Sequence, residues 1–315
     1  MTIQTAQLVT GASGLVGKRL CQRLLSDGSS IRAAVRATDS ATTLGHQVAV
    51  GPIDKTTDWH QALLNVQTVV QCAARVHVMH DAAADPLSAF RAVNVEGTLN
   101  LAWQAAEAGV KRLVFVSSVK VNGENTEPGR PFTEADAPKP QDDYGLSKHE
   151  AEQGLRQIAS ETGMAVVIIR PPLVYGPGVK ANFAALMRAV QSGLPLPLGA
   201  VHNKRSLVAL DNLVDFIVTC IANPHAANQT FLVSDGHDLS TTELVRGMAQ
   251  AAGVPARLLP VPVLALRAGA VLLGKSDAVQ RLCGDLQVDI SKARNLLGWV
   301  PPLSVQEGLR RVFRS

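Results

Sequence analysis

The segment DDYGLSK carries a tyrosine and a lysine whose spacing could support acid–base chemistry. Tyr144 and Lys148 are four residues apart, so on a helix they lie on one face, one turn apart. Reducing a carbonyl group, or the reverse reaction, needs a proton donor or acceptor, and a phenol can serve if its pKa falls toward neutrality. A neighbouring ammonium favours the phenolate. The pair therefore predicts a catalytic acid/base and its activator; the alternative is a polar face of a surface helix.

A serine at the end of a predicted strand could share this chemistry. The sequence RLVFVSS has the composition of a buried strand and ends in Ser117 and Ser118. Ligands of doubly wound folds bind at the carboxyl ends of the strands. The hydroxyl of Ser118 could therefore hydrogen-bond the substrate oxygen on which Tyr144 acts. The alternative is a hydrogen bond from the strand end to the following turn.

A glycine-rich turn near the N-terminus predicts a dinucleotide site. The first predicted strand, AQLVTG, runs into a G-x-x-G-x-x-G pattern that is followed at once by the amphipathic sequence KRLCQRLL. Such glycines permit a tight turn, let backbone amides approach a pyrophosphate and let the helix pack closely on the strand. The helix N-terminus adds partial positive charge. A purely structural tight turn is the alternative.

The residue at the end of the second strand bears on the choice between NAD and NADP. An acidic residue there would bind the ribose hydroxyls and favour NAD. The predicted strand IRAAVR instead ends in Arg36, with Arg32 nearby and no acid before Asp39. Because arginine can pair with a 2′-phosphate, the sequence favours NADP slightly over NAD. The alternative is a solvated arginine stacked on adenine.

The first half of the chain alternates between short β-branched runs and helical patterns. This alternation predicts a parallel sheet with crossover helices. Helices are predicted over residues 15–26 and 85–108, the second ending at Gly109. Six strands are predicted, the number expected of a doubly wound dinucleotide fold. They begin at Ala6, Ile31, His46, Thr68, Arg112 and Ala165.

Beyond residues 170–178 the alternation gives way to segments rich in proline and glycine, which indicates a second lobe. The predicted fold is a Rossmann-type α/β domain with a doubly wound parallel sheet over residues 1–175. A smaller C-terminal α/β substrate-binding lobe covers residues 176–315, and a strand and helix near 206–222 are expected to return to the sheet. The apolar sequence PVPVLALRAGAVLLGK is too short to span a membrane and predicts a buried helix of the second lobe.

The composition excludes several classes of function. The chain has a net charge of +4, but its basic residues are scattered, which favours a phosphate-bearing small molecule over nucleic acid. The four cysteines show no C-x-x-C spacing, so neither disulfides nor a zinc site is expected. His77 and His80 have ligand-like spacing but no third ligand, and no metal is expected. With neither a secretory signal nor a membrane span, we expect a cytoplasmic protein.

Taken together, the TGASGLVG turn, the serines after the fifth strand and YGLSK resemble the extended short-chain dehydrogenase/reductase family, in its NAD-dependent epimerase/dehydratase branch. The resemblance covers essentially the whole chain. It implies that Tyr144 is the general acid/base, that Lys148 is its activator and a ribose ligand, and that Ser118 binds the oxygen on carbon 4 of a sugar. Further implied cofactor contacts are Gly11, Ser13, Gly14, Leu15, Val16, Gly17, Ile53, Asp54, Cys72, Ala73, Ala74 and Pro171. Implied substrate contacts are Asn94, Asn182, Arg205 and Arg281.

The chain departs from the family pattern at several positions, and two of them bear on ligand contacts. Pro52 stands where relatives have an aspartate that binds adenine, and Asp54 is expected to substitute for it. Leu173 stands where many epimerases have an asparagine that binds diphosphate. Arg205 nevertheless suits a pyrophosphate, because its planar fork binds two oxygens at once.

The resemblance implies NAD(P)-dependent oxidoreduction at carbon 4 of a nucleotide-linked hexose, with UDP as the expected nucleotide. The enzyme would be a 4-ketoreductase or a 4-epimerase of polysaccharide precursor synthesis, and Arg36 and Leu173 favour the reductase slightly. Two alternatives are a non-catalytic NADP-binding redox sensor and a steroid- or flavonoid-type ketoreductase on the same fold. Relatives commonly pair through the helices over residues 94–108 and 144–158, which implies a homodimer.

Overall fold

The computed structural model describes residues 6–37, 44–76, 85–272, 274 and 276–313. These residues contain a seven-stranded parallel sheet and a separate two-stranded parallel sheet. The six predicted strands all lie in the large sheet, which confirms the predicted fold class. The strands are β1 (Ala6–Thr10), β2 (Ile31–Val35), β3 (His46–Ala49), β4 (Val66–Gln71), β5 (Arg112–Val116), β6 (Ala165–Arg170), β7 (Leu173–Tyr175), β8 (Leu207–Ala209) and β9 (Thr230–Leu232).

The strand order of the large sheet is β3-β2-β1-β4-β5-β6-β9. The order therefore reverses between β1 and β4, and doubly wound folds bind their ligands at the carboxyl ends of the strands around such a point. The glycine turn follows β1, Arg36 follows β2, Ser118 follows β5 and Pro171 follows β6. The topology thus brings the predicted site residues to one edge of the sheet.

Helices cover both faces of the large sheet. The helices on one face bury residues such as Leu20, Phe216 and Ala293, and those on the other face bury Leu101 and Leu155. The helices are α1 (Leu15–Ser26), α2 (His60–Leu63), α3 (Pro86–Arg91), α4 (Gly97–Glu107), α5 (Asp143–Thr162), α6 (Ala181–Gln191), α7 (Leu210–Ala222), α8 (Thr241–Ala252), α9 (Val263–Leu272), α10 (Ser276–Cys283), α11 (Ser291–Leu297) and α12 (Val305–Phe313). Short 3₁₀ turns cover Val119–Val121 and Pro224–Ala226, and a π-helical turn, Ala92–Glu96, joins α3 to α4. The helix predicted over residues 85–108 is therefore present but contains this wider turn.

The predicted return of residues 206–222 to the large sheet is wrong in its pairing. The strand exists as β8, but it pairs with β7 in the two-stranded sheet. The seventh strand of the large sheet is β9, which pairs with β6. Three residues are too short a run to show strand periodicity, which is why the sequence did not reveal β9. The helix predicted after Asp211 is α7, and it packs on the large sheet.

A separate hydrophobic cluster lies among the C-terminal elements. Phe183, Val245, Met248 and Leu309 pack together from α6, α8 and α12. This cluster agrees with a second lobe, while the division at residue 175 stays a prediction.

Helix α9 is not the buried helix that its apolar sequence predicts. Of its ten residues, Ala270 is buried, whereas Leu264 and Leu272 are 78% and 88% exposed. A run of apolar residues indicates low polarity on every side, but the number of sides that find a partner depends on neighbours distant in sequence. Among the described residues, no helix is long and apolar enough to cross a bilayer.

Candidate active site

The glycine turn after β1 is a tight, crowded loop. Gly11 has a φ of +61°, and a Cβ at that position would lie 2.7 Å from the backbone nitrogen of Ala73. A Cβ on Gly17 would lie within 3.0 Å of the carbonyl group of Gly11. Left-handed backbone conformation and close packing of helix on strand thus both require glycine here.

The start of α1 can receive an anion. Ser13 and Gly14 are exposed. Among the described residues, no side chain caps the N-terminus of α1, and the first turn of this helix carries no acidic residue. The amides of Leu15, Val16 and Gly17 in the first turn therefore lack the acceptors that a helix interior provides. Free amides and the helix dipole suit a pyrophosphate, so the residues present fit a dinucleotide.

We expect replacement of Gly17 by alanine to destabilise the protein and to weaken dinucleotide binding. The added methyl group cannot avoid the backbone of Gly11, and overpacking of this kind costs about 1–3 kcal/mol. Urea unfolding and calorimetric titration with NAD would measure both effects. Gly269→Ala is the matched control, because Gly269 also lies in a helix but meets open space, and alanine there should be neutral or stabilising by up to about 1 kcal/mol. Equal stability of Gly17→Ala and wild type would contradict the expectation.

The segment after β4 forms a wall beside the glycine turn. Cys72, Ala73 and Ala74 are partly exposed, and the Ala73 amide donates a hydrogen bond of 3.2 Å to the Thr10 hydroxyl. Gln71 extends this network by donating to Thr98. The segment predicted to pass the adenosine ribose is thus hydrogen-bonded to Thr10, the residue directly before the glycine turn.

The predicted adenine contacts lie on the neighbouring loop. Gly97 of α4 approaches Ile53 so closely that a Cβ would lie 2.7 Å from its side chain, which holds the loop in place. The Asp54 carboxylate accepts hydrogen bonds from the Thr56 amide and hydroxyl, both 2.7 Å long, and these bonds lower its pKa. Asp54 can still accept another bond through its second oxygen.

Arg36 is exposed directly after β2. Arg32 points elsewhere, because its guanidinium donates to the Gln61 carbonyl at 2.7 Å. Arg36 is thus the exposed one of the two arginines that the sequence placed near the ribose, and its contact with a 2′-phosphate stays a prediction. Asp39, His77 and His80 lie outside the described residues.

Ser118 begins the 3₁₀ turn after β5. Its hydroxyl oxygen accepts a hydrogen bond of 3.2 Å from the Lys120 amide, and the residue is 8% exposed. The strand-end bond weighed as the alternative is therefore present. It occupies a lone pair of the oxygen and leaves the hydroxyl proton free for a substrate oxygen, so the two roles are compatible.

Tyr144 lies in the first turn of α5. The Asp142 carboxylate caps this helix by accepting from the Gly145 amide at 2.7 Å, and Gly145 permits close approach to the Lys120 carbonyl. The phenol ring meets Phe90 edge to face at 6.1 Å and retains partial exposure. Burial, and to a smaller extent the charge of Asp142, raises the pKa of Tyr144. Without bound ligands, the phenol is therefore protonated at neutral pH.

Lys148 is almost completely buried beneath Tyr144, at 1% exposure. Its ammonium donates to the Val116 carbonyl at 2.9 Å and lies 4.4 Å above the Phe115 ring and 6.0 Å from the centre of the Tyr144 ring. Burial lowers the pKa of Lys148 to about 8. The structure therefore brings Tyr144 and Lys148 to the strand end that carries Ser118.

Asn94 has contacts that the sequence did not predict. It lies in the π-helical turn, fully buried, and its amide bonds both the amide and the carbonyl of Arg75, at 2.8 and 3.0 Å. It also donates to the Ser147 hydroxyl at 3.0 Å. Asn94 thus joins the segment after β4 to α5, and its contact with substrate stays a prediction.

The predicted diphosphate ligands lie in the second lobe. Arg205 donates to the Gly284 carbonyl at 3.0 Å, and its pKa is lowered by burial, raised by Glu124 and Asp285, and lowered by Arg281. Arg281 lies in the last turn of α10, three residues before Gly284, and is exposed. Asn182 is exposed in the first turn of α6, and Leu173, at 49% exposure, begins β7.

A cavity of about 550 Å³ is lined in part by Gly284, whose carbonyl accepts the hydrogen bond from Arg205. One wall is the loop after Ser118, and the other is formed by α9 and α10. A cavity of this size suits a small ligand. No local sequence pattern indicates this cavity, because its walls are far apart in the chain. It is lined by Asn125, Thr126, Arg267, Ala270, Val271, Val279, Gln280, Cys283, Gly284 and Asp285. Within the described residues, no group of acidic, histidine or cysteine side chains could hold a metal ion.

Comparison with known proteins agrees with this arrangement. The sequence model of the NAD dependent epimerase/dehydratase family matches residues 7–234. The chain is 53% identical to a UDP-glucose 4-epimerase of Vibrio cholerae, over 98% of this chain and 94% of that protein. It is 29% identical to an N-acetyl-alpha-D-glucosaminyl-diphospho-ditrans,octacis-undecaprenol 4-epimerase of Escherichia coli O157:H7, over 98% and 94%. The structure of a UDP-glucuronic acid 4-epimerase from Bacillus cereus in complex with NAD shares the fold, with a TM-score of 0.79, 19% identity and coverage of 98% and 96%.

Proposed function

The chain belongs to the NAD dependent epimerase/dehydratase family, and on this basis we propose that it is an NAD(P)-dependent 4-epimerase of a UDP-linked hexose. One observation carries the proposal: Tyr144 and Lys148 lie one turn apart on α5, and Lys148 is bound to the last residue of β5, two residues before Ser118. A second observation, 53% identity to a UDP-glucose 4-epimerase, favours epimerase over ketoreductase and so reverses the slight preference drawn from the sequence.

The residues of the site have complementary roles in this reaction. When bound, a nicotinamide would supply the hydride chemistry, by taking hydride from carbon 4 and returning it to the opposite face of the resulting 4-keto sugar. Tyr144 takes the proton from the oxygen on that carbon as hydride leaves, and gives it back when hydride returns. Ser118 donates a hydrogen bond to the same oxygen. A neighbouring ammonium such as that of Lys148 favours the phenolate, whereas burial raises the pKa of Tyr144.

The remaining site residues would hold the ligand on either side of the reacting carbon. The glycine turn and the amides of α1 bind the cofactor pyrophosphate, and Cys72–Ala74, Ile53, Asp54 and Pro171 surround the rest of the cofactor. Arg205, Arg281 and Asn182 bind the substrate diphosphate, and the cavity beside Arg205 receives the nucleoside. This assignment is supported by the cavity itself, because Asn125 and Thr126, in the loop after Ser118, line it together with Gly284, the residue that binds Arg205.

Mass spectrometry of products tests the proposal. The protein would be incubated with UDP-hexoses and with their 4-keto derivatives, with and without added NADH or NADPH. A new isomer of unchanged mass indicates an epimerase, whereas a gain of two hydrogens indicates a 4-ketoreductase. NAD(P) binding without any product would instead support the non-catalytic sensor. Faster reduction with NADPH than with NADH would support the 2′-phosphate contact that we propose for Arg36.

Arg205→Ala should separate a nucleotide-sugar enzyme from a steroid- or flavonoid-type ketoreductase. Loss of a charged hydrogen-bonding partner of a pyrophosphate costs about 1.5–3 kcal/mol, so we expect the Kd for UDP to rise about 10- to 100-fold. Calorimetric titration at two salt concentrations would show it, with Arg130→Ala as control because Arg130 is exposed at the surface. Unchanged affinity for UDP in Arg205→Ala would contradict the diphosphate assignment.

Three further expectations stay predictions: the cytoplasmic location, the homodimer through the helices near residues 94–108 and 144–158, and the role in polysaccharide precursor synthesis.

A further inference from the structure

A buried ion pair lies directly behind the candidate catalytic residues. The Arg170 guanidinium donates two parallel hydrogen bonds to the Glu152 carboxylate, of 2.9 and 2.6 Å. Glu152 is fully buried and Arg170 is 2% exposed. The bidentate geometry fixes both the distance and the orientation of the two side chains.

The pair connects the three elements that carry the site. Glu152 lies on α5, one turn beyond Lys148, and its Oε1 accepts a hydrogen bond of 2.6 Å from the Ser117 hydroxyl at the end of β5. Arg170 is the last residue of β6, next to Pro171. Each group of the network is therefore either adjacent in sequence to a predicted site residue or one helical turn from it.

The network continues to the loop beyond Ser118. Arg170 donates its third bond to the Asn122 amide oxygen at 2.9 Å, and Asn122 in turn donates to the Thr133 carbonyl at 3.0 Å. The backbone adds a parallel link, because the Val119 amide donates to the Pro171 carbonyl at 3.0 Å. The turn after Ser118 is thus bonded to the end of β6 twice, through the side chain of Arg170 and through the carbonyl of Pro171.

Joining a helix to a sheet through a buried ion pair costs desolvation free energy. Removing two charges from water can cost more than their attraction returns, and apolar side chains of similar volume often stabilise a protein equally well or better. Apolar packing, however, lacks the directionality of a bidentate pair. A requirement for fixed spacing would account for charge at this position better than a requirement for stability.

We propose that Glu152 and Arg170 are positioning residues, which act through Lys148 and Ser118 by fixing α5 against the ends of β5 and β6. The proposal rests on the catalytic roles given above to Tyr144, Lys148 and Ser118. Neither Glu152 nor Arg170 is expected to touch the substrate, since both are buried beneath the site.

The charges around Glu152 give the proposal a measurable signature. The groups that face it are Arg170, Arg156 at 3.1 Å, Lys148 and His149. Burial lowers the pKa of Lys148, whereas Cys72 and the negative charge of Glu152 raise it. Removing that charge should therefore lower the pKa of Lys148, and the ammonium would be lost at a lower pH.

The experiment compares Glu152→Gln with wild type by kcat, KM and pH profile. We expect kcat to fall at least tenfold with KM for the UDP-hexose changed less than threefold, and the alkaline limb of the kcat profile to move to lower pH. Arg156→Met is the matched control: its side chain is 46% exposed and binds the same carboxylate from the solvent side, so both kcat and the alkaline limb should remain unchanged.

The double variant Glu152→Gln/Arg170→Met separates positioning from stability. It leaves no unpaired buried charge, so the melting temperature should recover relative to Glu152→Gln, while kcat should stay low. Recovery of kcat together with stability would overturn the proposal, as would a lowered melting temperature of Glu152→Gln with unchanged kcat and pH profile. If wild type itself converts no UDP-hexose, the proposed function fails. Positioning is then tested by the Kd for NAD, which should rise at least threefold in Glu152→Gln and stay constant in Arg156→Met.

Discussion

Replacing Tyr144 by phenylalanine should reduce kcat for the UDP-hexose by about 10²–10⁴-fold, the range that a positioned acid/base contributes. The change removes the hydroxyl and keeps the ring. Its edge-to-face contact with Phe90 should persist, and so should the cap of α5 by Asp142. The Kd for NAD and the melting temperature are therefore expected to stay close to those of wild type.

The other tyrosine of the chain supplies a matched control for this experiment. Tyr175 is fully buried in β7 and donates a hydrogen bond of 2.7 Å to Asp235. Tyr175→Phe removes the same atom, and the cost of leaving Asp235 short of a partner is about 1–3 kcal/mol of unfolding free energy. We expect Tyr175→Phe to lose stability and keep kcat, the opposite of Tyr144→Phe. Retention of more than a few per cent of wild-type activity by Tyr144→Phe would show that the acid/base assignment is wrong.

The features that the sequence predicted share one property: each is encoded within a few neighbouring residues. The glycine turn is recognisable because only glycine tolerates the backbone of Gly11 and the contact between Gly11 and Gly17. The six longer strands carry enough β-branched residues to show their type. The spacing of Tyr144 and Lys148 places them on one helix face whatever surrounds them.

The features that the sequence did not predict depend on residues far apart in the chain. Glu152 and Arg170 each look like an ordinary surface charge, and their burial becomes visible when α5 packs against β6. Asn94 resembles a substrate ligand in sequence, yet Arg75 and Ser147 occupy its amide in the fold. The partner of β8 and the exposure of α9 likewise follow from tertiary packing, which no local pattern records.

The same dependence on packing affects the chemistry of the site. The sequence predicts that a lysine one turn from Tyr144 lowers the pKa of the phenol, but burial raises the pKa of Tyr144 and lowers that of Lys148. Keeping a positively charged ammonium buried therefore destabilises the folded protein. The catalytic role that we propose for Lys148 accounts for this ammonium better than a role in stability does.

Lys148→Met should consequently lose activity and gain stability. Loss of the ammonium removes the group that favours the phenolate, so we expect kcat to fall at least about 100-fold. The depression of the pKa of Lys148 from 10.5 to about 8 corresponds to an unfavourable free energy of about 3 kcal/mol in the folded protein at neutral pH. Methionine avoids this cost. It also leaves the Val116 carbonyl without its partner, which destabilises the variant by about 1–2 kcal/mol and so reduces the net gain in stability.

The stability gained by Lys148→Met should depend on pH in a defined direction. Below pH 8 the folded protein must hold the charged ammonium, so the penalty is present in full. As pH rises from about 8 toward 10.5, wild type releases the proton in its folded state before its unfolded state does, and the penalty disappears. Urea unfolding at pH 7 and pH 10 should therefore show the variant ahead by about 1–2 kcal/mol at pH 7 and with no advantage at pH 10. Lys111→Met, which alters an exposed lysine, should match wild type at both. A Lys148→Met variant that is less stable than wild type at pH 7 would mean that the ammonium is held for stability, and the assignment of Lys148 to catalysis would lose its thermodynamic support.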